Sequence, residues 1–269
     1  MGKKLPISVF IITKNEERRI VPTIKAVKNW VDEVIVVDSG SEDNTVKIAK
    51  KLGCKVFYNK WKGYGAQKIF GEKKCKNNWI LNIDSDEVVM EELQNEIMNL
   101  FEKGTQDKFF GYRIRITNVL PNEKKPHKLA YSFNQTRLYN KTKCGFRDSE
   151  VHDTVIVEGV KEYSKEERKV IGQLKGRVAH YFMESYTQLI NKWNRYSQMQ
   201  AEDAVAKGKK GCFVKILFFP AFAFIKAFII RRYFVYGLNG FIFSSFYAFS
   251  RYMKYVKIWE LSIELKKNK

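Results

Sequence analysis

Histidine is scarce in this chain of 269 residues: only His127, His152 and His180 occur. No two of them stand four apart, and the four cysteines, Cys54, Cys75, Cys144 and Cys212, are scattered without framework spacing. That argues against a zinc site and predicts reduced thiols in a cytosolic setting. The sequence has no G-x-G-x-x-G after its first apolar run and no G-x-x-x-x-G-K-[ST] anywhere, so dinucleotide and P-loop readings lose their main support. Internal repeats and long low-complexity runs are missing too. The opening MGKKLPISVF passes straight into a strand pattern with no apolar leader segment, which predicts a chain that is not secreted.

Acidic residues are the minority charge, 29 against 49 Lys and Arg, for a net charge of +20. From Lys207 onward, thirteen Lys or Arg face only Glu260 and Glu264. The same stretch is crowded with Phe and Tyr, and basic residues interleaved with aromatics are the pattern of a chain lying in an anionic membrane interface. Residues 213–230 are interrupted by Lys215, Pro220 and Lys226, and residues 233–250 contain Gly237, Asn239, Gly240 and several serines. A bilayer span needs about 20 apolar residues, so the expectation is an in-plane, monotopic anchor. Packing of these helices on the catalytic domain or on a second subunit is the alternative use of the same aromatics.

The first third of the chain alternates apolar runs with helix-compatible segments, the order that builds a parallel α/β sheet. Strands are predicted at residues 7–13, 33–38, 55–58 and 79–84, with helices at 17–29, 43–52 and 64–74. Ligands of open α/β sheets bind beyond the carboxyl ends of the strands. Polar residues stand at those ends: Thr13, Asn15 and Glu16 after the first strand, Asp38 and Ser39 after the second, Asp84 and Asp86 after the fourth. In an extended segment residues two apart point the same way, so Asp84 and Asp86 are expected to aim at one hard cation or at a sugar-nucleotide around it. Capping of a helix beginning near Met90 is the alternative use of these acids. Asp38 is a candidate acceptor for a base N–H, or else a satisfied turn residue. The corner Gly63-Tyr64-Gly65 ahead of Lys68 is a candidate diphosphate contact or a plain loop-to-helix junction. His180 is a candidate metal ligand or phosphate contact, with a structural role beside its aromatic neighbours as the alternative.

Five segments in order, ITKNEE (12–17), VDSGSEDNT (37–45), GYGAQK (63–68), IDSDE (83–87) and FRDSEVHD (146–153), resemble glycosyltransferase family 2. More closely, they resemble the bacterial lipopolysaccharide-core β-glucosyltransferase branch that attaches glucose to inner-core heptose. The resemblance covers nearly the whole chain. It implies a GT-A nucleotide-diphospho-sugar transferase fold, a UDP-sugar donor, Mg²⁺ or Mn²⁺, and inversion at the anomeric carbon by single displacement. Matched residue by residue, Thr13, Asn15 and Glu16 flank the nucleoside, Asp38 contacts the base, Lys68 lies near the diphosphate, and Asp84 and Asp86 are the donor and metal carboxylates. Asp153 is the candidate general base, with Glu150 and Asp148 as substitutes; the branch usually reads Val-His-Glu where this chain has Val151-His152-Asp153. The branch also commonly carries an acid near the position of Asn239.

The expected organisation is a catalytic domain over residues 1–182 and a helical, membrane-associating region over 183–269, led by an amphipathic helix at 183–207. Residues 117–135 and the loop around Val151 are the expected acceptor side. The expected partners are a UDP-sugar, a lipid-linked saccharide acceptor and an anionic membrane surface, at the cytoplasmic face of a bacterial inner membrane. Two alternatives compete. A sugar-phosphate nucleotidyltransferase would share the sheet and the aspartates, yet should carry a glycine-rich loop where this chain has Lys14-Asn15-Glu16-Glu17. A non-enzymatic nucleic-acid-binding protein would account for the positive charge but leaves the strand-end aspartates without purpose, so no nucleic acid partner is expected.

Overall fold

The computed structural model describes residues 4–147 and 154–267. The chain forms two compact units, one of Met1–Thr117 with Ser132–Tyr181 and one of Asn118–Tyr131 with Phe182–Lys269.

The first unit is built on a mixed eight-stranded sheet. Its strands are β1 (Leu5–Thr13), β2 (Val31–Asp38), β3 (Lys55–Tyr58), β4 (Trp79–Asp84), β5 (Glu87–Val89), β6 (Gly111–Asn118), β7 (Ser132–Asn140) and, after a separate small pair, β8 (Gly145–Phe146) with β9 (Val155–Ile156), the long β10 (Ile171–His180). The sheet order is β3-β2-β1-β4-β7-β6-β10-β5, with β3, β2, β1 and β4 parallel and β7 antiparallel to β4. Helices α1 (Ile20–Val27), α2 (Thr45–Lys51), α3 (Tyr64–Lys74), α4 (Glu91–Glu102) and the short α5 (Glu167–Val170) complete it.

The central strand β1 is apolar almost throughout because both of its faces are covered. Ile7, Val9 and Ile11 join Ile20, Ile24 and Val27 of α1 in one core, while Phe10 and Ile12 join Ile80 and Tyr139 in the other. Each fully buried side chain of this size contributes about 1.5–3 kcal/mol. Two glycines allow close helix–sheet packing: a Cβ on Gly71 of α3 would lie 2.6 Å from the Phe10 ring, and one on Gly176 of β10 would lie 2.4 Å from Leu93 Cα of α4. Helix α1 starts at Ile20, three residues later than the pattern predicts, since residues 14–19 form the turn that leaves β1, with Asn15 at φ 55°.

The second unit contains α6 (Tyr186–Ala206), α7 (Phe213–Ile225) continued by a π-helical turn (Lys226–Ile230), a 3₁₀ turn (Tyr233–Tyr236) and α8 (Gly237–Lys267). Residues 118–131 supply Leu120 and Ala130 to a core with Met183, Leu189, Tyr233, Tyr236 and Phe243. Asn239 is a link within this unit: its Nδ2 donates to Pro121 O (2.7 Å) and to Glu123 Oε1 (3.2 Å), and its Oδ1 accepts from Tyr186 Oη.

Candidate active site

The register of the parallel strands brings the site together. Thr13 is paired with Asp38, and Ile12 with Asp84, so the polar ends of β2, β1 and β4 lie side by side at one edge. The turn after β1 is laced to the turn after β2. Asn15 N donates to Ser41 Oγ (2.9 Å), Glu16 N to Thr45 Oγ1 (2.7 Å) and Glu17 N to Asp43 Oδ2 (3.1 Å), while Asn15 Oδ1 accepts from Glu42 N (2.9 Å). Asp38 is buried and accepts from the backbone N–H groups of Gly40 (2.8 Å) and Ser41 (2.9 Å), so its carboxylate serves the turn that shapes this edge. Thr13 Oγ1, at the mouth of the sheet, is buried and makes no hydrogen bond among the described residues.

Asp84 and Asp86 do not point the same way. The strand ends at Asp84, and Ser85 and Asp86 form the turn into β5, so alternation along an extended chain no longer applies. Asp84 turns to Lys68 Nζ (3.1 Å) and Arg137 Nη2 (2.8 Å). Asp86 instead faces His180 Nε2 (3.4 Å) and Arg19 Nη1 (3.5 Å), and its carbonyl accepts from Tyr181 N (2.8 Å). Thr23 Oγ1 of α1 donates to Ser85 O (2.9 Å) and holds the turn in place.

Arg137 of β7 is the residue that pattern reading missed. It is 3% exposed and donates to Asn82 Oδ1 (2.7 Å), Asp84 Oδ2 (2.8 Å) and Glu87 Oε1 (2.9 Å). Glu87 in turn accepts from Asp84 N (2.9 Å). Lys68 is fully buried and its ammonium lies 5.5 Å from the centre of the Phe146 ring. Two buried cations thus face two carboxylates, of which Glu87 is buried and Asp84 half-buried. Burial opposes ionisation of Asp84, but Arg137 and Lys68 outweigh it and hold the acid well below the usual carboxylate range. Burial, helped by the Asp84 charge, raises Glu87 instead. An arginine set against the apolar pair Leu138-Tyr139 within a strand, TRLY (136–139), was the available signal. Arg19, which donates to Glu16 through Nε (2.7 Å) and Nη2 (2.6 Å) and faces Asp86 through Nη1 (3.5 Å), is a second residue the pattern did not single out.

Burial also disfavours the imidazolium of His180, yet the hydrogen bond and charge of Asp86, with Glu87 and Asp84 behind it, raise its pKa above the ordinary value. Among the described residues no group of three or more His, Cys, Asp or Glu is placed to hold a metal. Asp86 and His180 form a two-donor set of carboxylate oxygen and imidazole nitrogen. Such a set fits Mn²⁺, which accepts an imidazole nitrogen beside a carboxylate and completes its shell with substrate phosphates and water, whereas Mg²⁺ would take the Asp86 oxygen alone; it is too small for structural zinc. Asp148, Glu150, His152 and Asp153 lie outside the described residues.

A mixed α/β sheet with polar residues gathered at the carboxyl edge of its parallel strands is a framework that binds its ligand beyond those strand ends. The model of glycosyl transferase family 2 matches residues 8–172, and the chain belongs to that family. It is therefore a glycosyltransferase with a GT-A-like fold, and the nucleotidyltransferase and nucleic-acid-binding alternatives give way. An uncharacterized glycosyltransferase of Rickettsia prowazekii is 43% identical over 96% of this chain and 88% of its own length. The lipopolysaccharide core biosynthesis glycosyltransferase LpsC of Rhizobium meliloti is 27% identical over 97% of this chain and 94% of its own. Among solved structures, S. aureus TarS 1-349 in complex with UDP-GlcNAc aligns with 98% of this chain and 93% of its own, at 13% identity and a TM-score of 0.46.

Proposed function

We propose that this glycosyltransferase moves glucose, with inversion, from UDP-glucose to a lipid-linked saccharide of the lipopolysaccharide-core type at the cytoplasmic face of a bacterial inner membrane. The observation that carries the donor half is the alignment of Thr13, Asp38 and Asp84 at the ends of adjacent parallel strands, with Asp86 one turn beyond. The acceptor half is supported by the likeness to LpsC along nearly the full length of both chains.

In this reading the β1 and β2 turns, shaped by Asn15, Glu16 and Asp38, cradle the nucleoside, and Thr13 Oγ1 supplies a hydrogen bond to it. Lys68 acts through Asp84, which it holds ionised together with Arg137, rather than by touching the diphosphate. Asp86 and His180 are the residues that would hold Mg²⁺ or Mn²⁺, which supplies Lewis-acid neutralisation of the departing diphosphate. Asp153 takes the proton from the acceptor hydroxyl as its oxygen bonds to the anomeric carbon and the bond to UDP breaks; Glu150 is the substitute base. General-base assistance is typically worth about 10²- to 10⁴-fold.

Calorimetric titration of UDP, UDP-glucose and UDP-galactose, with and without Mn²⁺, tests the donor half. Binding of UDP species should depend on Mn²⁺ and disappear in Asp86→Ala. In a transfer assay Asp153→Asn should keep donor binding and lose at least a hundredfold in turnover. Metal-independent binding that survives Asp86→Ala removes the metal assignment, and unchanged transfer by Asp153→Asn removes the base.

A further inference from the structure

Residues Phe213–Ile230 form a continuous helical stretch of 18 residues, long and apolar enough to cross a membrane, and only 11% of it is buried. How its neighbours pack determines whether it can do so. Helix α7 runs antiparallel to α8. At one end Gly211 N donates to Ser262 Oγ (3.2 Å); further along, Phe219 meets Tyr255 with ring centres 5.0 Å apart; at the other end Phe224 and Phe228 meet Phe241 at 5.5 and 6.0 Å. Helix α8 packs in the same way along α6, in parallel. Trp193 meets Phe243 (5.7 Å), Lys257 Nζ donates to Asn194 O (2.8 Å) and Ser197 Oγ (2.9 Å), and Ile258 packs on Ala201 and Ala204.

The three helices therefore lie alongside one another, and a bilayer crossed by α7 would be crossed by α6 as well. Helix α6 exposes Lys192, Arg195, Glu202 and Asp203 along its length. Ionised side chains in the middle of a crossing helix are strongly disfavoured. The exposed surface of α7 is different. Phe218 (60% exposed), Phe222 (57%), Ile225 and Ile229 recur at helical spacing on one face, and Ala223 and Ala227 turn inward. Lys215 and Lys226, about three turns apart, stand on one flank of that face. An apolar stripe edged by lysines fits a single leaflet, with the stems reaching up to anionic headgroups.

We infer that α7 and its π-helical turn lie flat in one leaflet of an anionic membrane, inserted through the Phe218–Phe222–Ile225–Ile229 face, and do not span it. This rests on the membrane reading above. It would be tested on the full chain carrying Cys212→Ser, whose three other cysteines are buried. Lys209→Cys and Arg232→Cys, one at each end of the helix, would be exposed separately to a membrane-impermeant maleimide in right-side-out spheroplasts and in inside-out inner-membrane vesicles. Both should react only in the inside-out vesicles. Reaction of one from each side overturns the in-plane placement while leaving membrane binding standing. Phe218→Glu with Phe222→Glu should lower partition onto phosphatidylethanolamine–phosphatidylglycerol vesicles at least tenfold with UDP binding unchanged, and undiminished partition overturns the insertion face. Failure of the parent chain to bind such vesicles, with a stable dimer in light scattering, overturns the membrane reading itself and assigns the face to a second copy. Donor calorimetry is independent of each of these results.

Discussion

At the scale of single residues, the cluster of Lys68, Asp84, Glu87 and Arg137 decides how the carboxyl edge of the sheet is charged. Arg137 is hydrogen-bonded to both acids, so replacing it with methionine breaks a buried pair with Glu87 and leaves the half-buried Asp84 with one lysine. Breaking a buried pair in this way costs about 3–5 kcal/mol, and chemical denaturation of Arg137→Met at neutral pH should show a loss of that order. The pH dependence has a definite sign. In the parent chain Asp84 is depressed in the folded state, so its contribution is present above its unfolded value of about 3.9 and is lost as pH falls below it. Without Arg137, which lowers both acids, Asp84 and Glu87 bind protons more readily in the folded variant than in the folded parent. The variant should therefore regain stability between pH 7 and pH 5, where the parent does not lose its Asp84 contribution. A flat difference across that range would mean that Arg137 does not set the ionisation of these acids.

At the scale of elements, the sheet edge depends on how closely the helices approach. Helix α4 lies on β10 with Leu93 at the position a Gly176 side chain would occupy, 2.4 Å from the added Cβ to Leu93 Cα. The obstructing atoms belong to the backbone and cannot swing aside, so Gly176→Ala should destabilise the protein by about 1–3 kcal/mol or more. β10 ends at His180, paired in register with Glu87, so the same shift reaches the site. Thermal unfolding checks the stability, and weaker Mn²⁺-dependent UDP binding by the folded variant checks the coupling. The alternation of strands and helices through residue 84 was legible because each parallel strand is buried on both faces and reads as an apolar run. The helix after β1 was drawn too long, because charged residues 16–19 suit a helix surface as well as they suit the hydrogen-bonded turn they form.

At the scale of the whole molecule, the chain does not divide at a single point. Residues 118–131 leave β6 and return to β7, yet Leu120 and Ala130 are buried among Met183, Tyr233 and Phe243. A chain ending at residue 181 would lack Met183, Tyr233, Tyr236 and Phe243, which cover Leu120 and Ala130, and exposed apolar surface of that kind promotes association. Such a truncation should aggregate or melt without cooperativity, where a modular anchor would leave a soluble catalytic domain. Analytical ultracentrifugation with calorimetric melting distinguishes the two outcomes.

Residue types and their order alone determined the family, the parallel half of the sheet and the strand-end acids, because these follow from local hydrophobic period and from motifs whose spacing is written in the chain. Tertiary structure decided which partners Asp84 and Asp86 each face. One ends a strand and the other lies in a turn, and their partners Lys68, Arg137, Arg19 and His180 come from four separate segments. It also decided the role of Asn239, which hydrogen-bonds to Pro121 and Tyr186. Contacts between residues tens of positions apart have no periodic signature, and only folding brings such atoms within hydrogen-bonding distance.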